Sequence, residues 1–340
     1  MTRAGTTSRA HHSAFVSAVA GSLAGVLIGV ALTTITPIPG VTDVSEVVSV
    51  AIPVVRVLLD IAAVTTVGLA LLSVLVGYDR PKLADPVLAK ARHAAVASAL
   101  VWSVTAMVTL VLQTAEFRPQ TADIGPRDLR DYVVQIGAGK ALVVVAVLAL
   151  VQAGLGMLAL RHGERVPAEV RAGLGLFALL PLPVTGHAAN WNYHDYTMIS
   201  MELHVMSAVA WTGGLGALTV LLFANRTLLA HALPRFSRLA TLCLVVSAAT
   251  GLFNGCVEIL LNPTIGFWAG LFTTPYGRLV LLKVACTAAI AVLGANLRWR
   301  LMPRIVRHER TAFAAWATLE LTAMGLAFGF AVVLTRAPVT

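Results

Sequence analysis

The stretch from Pro183 to Gly214 holds the side chains best suited to chemistry: His187, His194 and His204, with Met198, Met201 and Glu202 between the last two. Imidazole nitrogen and thioether sulfur are donors that suit copper, methionine favouring the cuprous ion. In a helix following His194, Met201 and His204 are three residues apart and Met198 and Glu202 four apart, so each pair shares a face. A single histidine or methionine beside an apolar segment is ordinarily an anchor or core filler. Several donors converging from two elements would make a metal site. His187 and His204 are therefore the principal candidate ligands, with His194, Met201, Met198 and Glu202 completing the set.

The elements that must position these donors are membrane helices. The chain is 58% hydrophobic and 12% charged, with a mean hydropathy of +0.83, where soluble domains carry roughly 25% charged residues. Apolar runs of about 20 residues, enough to cross a bilayer, recur from end to end. They place spans near 14–35, 50–77, 92–114, 132–160, 172–188, 198–224, 237–261, 276–298 and 312–335. The expected fold is an all-α polytopic bundle of about nine membrane-spanning helices. The first run follows Arg3 and Arg9 as in a signal sequence, but it exceeds the usual apolar core of one and reads as a retained helix. The donors then gather on one rim: His187 closes the fifth span, and His204 lies roughly 9 Å into the sixth.

Loop charge gives the orientation. The N-terminus and loops 78–92, 161–171, 225–238 and 298–310 hold most of the 25 basic residues. The alternate loops hold Arg118, Arg127, Arg130, Arg278 and Arg336. Cytoplasmic loops attract Lys and Arg, so the N-terminus is expected in the cytoplasm, the C-terminus outside, and the histidine rim outside. Topology accounts for the formal charge of +9, and no nucleic-acid partner is implied. Cys243, Cys256 and Cys286 all lie in apolar segments, so no disulfide framework is visible. No catalytic constellation appears either, and a non-enzymatic role is expected.

Other polar residues lie inside the spans. Arg56 and Asp60 are four apart and read as a structural ion pair. Thr250, Asn254 and Glu258 follow at intervals of four on one face, with Cys256 at similar depth as a candidate soft ligand. Lys140 and Lys283 each lie a few turns inside, following Tyr132 and Tyr276. That correspondence, with Lys90-Ala-Arg92 opening one span and Arg235-Phe-Ser-Arg238 another, suggests two parallel four-helix units. The expected divisions are 1–49, 50–197 and 198–340.

Five blocks in order resemble the CopD copper-resistance membrane proteins: Thr185-Gly186-His187; His204 with Trp211-Thr-Gly213-Gly214; Arg235-Phe236-Ser237-Arg238; Thr250-Gly251; and Pro275-Tyr276-Gly277-Arg278 with Lys283. The resemblance covers about 180–340 and is looser before that. It implies a multi-pass cell-membrane protein that handles copper, moving it inward from an extracytoplasmic donor. Some members carry a further membrane domain resembling oxidase copper-assembly factors, so a copper donor or an oxidase-assembly protein is the expected partner, besides the lipid bilayer. Two other readings stand beside copper: a b-type haem ligated by His187 and His204, and a non-catalytic assembly subunit. His93, His162, His231 and His308 sit among arginines near the cytoplasmic side, and no second ligand-rich cluster is visible there.

Overall fold

The computed structural model describes residues 3–33, 46–77, 79–119, 124–185, 194–262, 264–309, 311–335 and 337, without the side chains of 3–13, 46, 164 and 194. Among the described residues the regular structure is all helical. The α-helices are α1 (Arg3–Leu32), α2 (Glu46–Val76), α3 (Pro81–Phe117), α4 (Pro126–Gln135), α5 (Gly137–His162) and α6 (Ala168–Phe177). They continue with α7 (His194–Ala217), α8 (Arg226–Leu260), α9 (Phe267–Thr273), α10 (Pro275–Asn296), α11 (Met302–Val306) and α12 (Phe313–Leu334). Nine segments among the described residues are long and apolar enough to cross a membrane. Large apolar side chains such as Leu27, Val104, Leu252 and Val292 stand exposed on them, as a lipid-facing surface requires.

Several expected spans are not single rods. The fourth divides at Ile136, whose extended backbone separates α4 from α5. Gly139 leaves room there for the Tyr132 ring of α4. The fifth starts earlier than expected, at Ala168, and its helix stops at Phe177. Turns and a 3₁₀ segment over Leu182–Thr185 replace the continuation. Pro181 and Pro183 are the cause, because each removes a backbone donor and crowds the preceding turn. The sixth and eighth spans contain π-helical stretches at Leu218–Leu222 and Leu297–Leu301. Short α9 lies between α8 and α10, with Trp268 exposed and stacked on Phe272, an aromatic anchor of the kind found at membrane interfaces.

Glycine sets the closest helix approaches. α1 runs along α12, where a Cβ on Gly25 would strike the backbone at Leu326 and one on Gly329 the backbone at Ser22. α2 crosses α7 at Gly68 and Gly213, each occupying the space a Cβ of the other would need. Small residues at crossings are how membrane helices gain packing contact when both faces are already apolar.

Polar contacts gather at the two ends of the bundle. At one end Arg235 donates to Leu75 O (3.2 Å) and to Asp79 (3.3 Å), and His231 sits 3.5 Å from Asp79. Arg298 donates to Thr241 Oγ1 (2.6 Å) at the same end, so three of the basic segments meet on one face. Glu309 there accepts from Arg307 (2.8 Å) and Arg304 (3.0 Å), bonds that hold its carboxyl below the usual range. At the opposite end Arg56 pairs with Asp60 (3.3 Å) and donates to Thr185 Oγ1 (2.7 Å). The expected ion pair is present, and it also ties the broken fifth span to α2.

Candidate metal centre

A cavity of about 220 Å³ opens between α2, α7, α8, α10 and α12, toward the end that carries Arg56 and Thr335. Its wall includes His204 and Met201 of α7, Asn254 and Glu258 of α8, and Tyr276 and Lys283 of α10. Arg56 and Asp60 line it from α2. Apolar residues of α12 close the far side, and Thr212 and Met324 lie deepest along their helices, with Trp211 beside Thr212.

The orientation of His204 is fixed by α8. Its Nδ1 lies 3.1 Å from Ser247 O and 3.1 Å from Thr250 Oγ1. A carbonyl can only accept, and the Thr250 hydroxyl already donates to Val246 O at 2.6 Å. Both partners therefore accept at Nδ1, so the proton sits on Nδ1 and the Nε2 lone pair is left for a ligand. Metal-binding histidines are set in this way, by the hydrogen bond at the other ring nitrogen. Gly251 completes the seat, since a Cβ there would meet the imidazole Cε1 at 3.0 Å. The Thr250-Gly251 pair thus has a direct physical role: one residue anchors the ring and the other makes room for it.

Met201 stands one turn from His204 and faces the same space. Asn254 Nδ2 lies 3.9 Å from its sulfur, while Asn254 Oδ1 is buried without a partner. A thioether, an imidazole and an amide oxygen thus converge, with the Glu258 carboxylate one helical turn beyond on α8. Among the described residues no three His, Cys, Asp or Glu side chains form a metal-sized cluster. This donor set is sulfur- and nitrogen-led, which favours a soft monovalent ion over a hard divalent one.

The other expected ligands fall less centrally. His187 lies outside the described residues. His194 begins α7, but its side chain is not among those described. Met198 and Glu202 are on α7 and half-buried, away from the cavity wall. Cys256 is also half-buried off the wall. Four cavity residues were read from sequence with other roles or none: Arg56, Asp60, Tyr276 and Lys283. Tyr276 and Lys283 are seven residues apart, two helical turns, and that spacing signals a shared face.

Two family models match the chain. Copper resistance protein D matches residues 230–334. Its companion, the copper resistance protein D-like N-terminal domain, matches residues 45–194. The chain belongs to the copper resistance protein D family. The second match extends this to the half where the motifs were faint. The copper transport protein CutJ of Bacillus subtilis (strain 168) is 32% identical over 168 residues, which is 48% of this chain and 28% of CutJ. The matched part thus spans under a third of that relative. No solved structure matches the chain. In this CopD-family chain two of the sequence blocks have a spatial sense: His204 of α7 is seated against Thr250 and Gly251 of α8.

Proposed function

We propose that this chain binds copper in the cavity beside His204 and Met201 and carries it inward across the cell membrane. The observation that supports this most is the committed Nε2 lone pair of His204, set beside a thioether in a polar cavity of an otherwise apolar bundle. Neutral donors add no charge at membrane depth, where an ionised group is costly. On this reading His187 is the second principal ligand, and His194, Met198 or Glu202 completes a site open to the outside. The basic face is cytoplasmic by its arginines, which leaves the cavity mouth facing an extracytoplasmic copper donor. The similarity to CutJ, a copper transport protein, supports this reading.

The test is copper binding by the purified protein under reducing conditions. Wild type is expected to bind, and a His187→Ala/His204→Ala double variant to lose the site. Equal affinity in both would remove the site from consideration. A haem absorption band with iron in place of copper would assign His204 to haem instead. Orientation is tested separately by cysteines introduced at Asn190 and Arg304. An impermeant reagent applied from outside should label the first and spare the second, and labelling of both would overturn the sidedness.

A further inference from the structure

Among the described residues Glu320 is the single acidic side chain in the fully buried class, 2% exposed in the middle of α12. It lies one turn beyond Met324, which lines the cavity on the same helix. Gly294, one turn beyond the cavity residue Ile290 on α10, leaves space beside its Oε1. On the third side is Trp211, 6% exposed. Its indole N–H faces the Glu320 carboxyl closely enough to interact with it, yet no acceptor at that nitrogen meets hydrogen-bond geometry. A buried donor is thus poised against a buried acid, between the cavity and the basic face.

An isolated carboxylate at that depth must be neutralised, by a proton or by a nearby cation. No ion-pair partner reaches Glu320 among the described residues. The charged and titratable groups on the surrounding helices include His204 on α7, Asp60 and Arg56 on α2, Glu258 on α8, and Tyr276 and Lys283 on α10, all on the cavity wall, together with the buried thiols of Cys243 on α8 and Cys286 on α10. Arg298, one turn past Gly294, is engaged with Ser237 O and Thr241 Oγ1. α1, packed along the rest of α12, carries no ionisable residue over its apolar run.

We propose that Glu320 is the proton-exchange site of the bundle: a cation entering the His204 cavity drives the carboxyl proton off toward the basic face, and Trp211 steadies the carboxylate that remains. The step balances as Glu–COOH giving Glu–COO⁻ and H⁺ while one monovalent cation enters, so the net charge inside the bundle does not change. A hydrogen bond to the charged form is what favours it, and the unpaired indole N–H is placed to form one. Carboxylates inside membrane proteins are characteristic of proton relays. This inference rests on the cavity being the cation site.

Silver(I), a redox-inert soft monovalent ion, is the probe. The full chain in lipid nanodiscs is followed by infrared difference spectroscopy and metal analysis as silver is added. Wild type should bind silver and lose a protonated-carboxyl carbonyl band. Glu320→Gln should still bind silver, which shows that it folds, but more weakly than wild type, because no proton leaves to offset the entering charge, and without that band loss. Glu320→Asp should keep the loss at a shifted frequency. Silver that binds with no carbonyl loss in wild type, or an unchanged loss in Glu320→Gln, overturns the proposal and leaves the His204 site standing. Failure of wild type to bind silver overturns both.

Discussion

Two cavities of nearly equal size lie side by side in this bundle, about 230 and 220 Å³, and their walls are chemically opposite. The larger, between α1, α2, α7 and α12, is lined by residues such as Phe15, Val57, Ile61, Val64, Val220 and Phe328. The smaller holds the imidazole, the thioether and the charged groups described above. Apolar cavities of this size stay dry and hold at most apolar guests, whereas a cavity with oriented donors can strip and hold an ion. Volume therefore does not single out the proposed site; the orientation of polar groups is what recommends it. Asp60 borders both cavities, so the wall between them depends on its being neutralised by Arg56.

The largest effect should come from breaking that wall. Asp60→Ala leaves the Arg56 guanidinium uncompensated; removing one partner of a buried pair commonly costs about 3–5 kcal/mol. The two side chains are 21% and 19% exposed, which argues for the lower end, about 3 kcal/mol. Arg56→Ala added to Asp60→Ala should recover part of the loss, though the bond to Thr185 would still be missing. Thermal unfolding in detergent is the measurement. A stable Asp60→Ala protein with impaired copper binding alone would move Asp60 from scaffold to site.

The next contrast separates the cavities directly. His204→Ala should weaken cuprous binding at least tenfold, about 1.4 kcal/mol. Val220→Phe, which puts a ring into the apolar cavity, should leave affinity within twofold. Competition against a colourimetric copper chelator reads both variants. An equal loss in the two would mean that the apolar cavity shapes the site.

Much of this was legible in the residues, for identifiable reasons. Apolar runs of bilayer length and the sorting of arginines gave the spans, because lipid admits few alternatives. The Arg56–Asp60 pair followed from spacing alone. The break in the fifth span was signalled by Pro181 and Pro183, yet hydropathy averages over proline and the run looked continuous. His204 and Met201 were recognisable by ligand chemistry, but the fixing of the imidazole by Ser247 and Thr250 depends on how α7 meets α8, which no local pattern encodes. Glu320 was overlooked although a lone carboxylate in a long apolar helix is a signal in its own right. Its neighbours Trp211 and Gly294 come from distant segments, so only packing gives it a setting.

The smallest effect should distinguish two lysines that look alike in sequence. Lys140 and Lys283 each follow a tyrosine in what reads as corresponding positions, but Lys140 is exposed near the start of α5. Lys283 instead lines the same cavity as His204 and Met201. If the proposed site holds a cation at His204 and Met201, the Lys283 ammonium on the same wall should repel it and that of Lys140 should not. Lys283→Met should therefore tighten cuprous binding about threefold, roughly 0.7 kcal/mol. Lys140→Met should leave affinity unchanged, and Lys283→Arg, which keeps the charge, should stay near wild type. Weaker binding in Lys283→Met would reverse the inference. The ammonium would then be holding Asp60 or Glu258 in a geometry the metal needs, and its contribution would be orientation rather than repulsion.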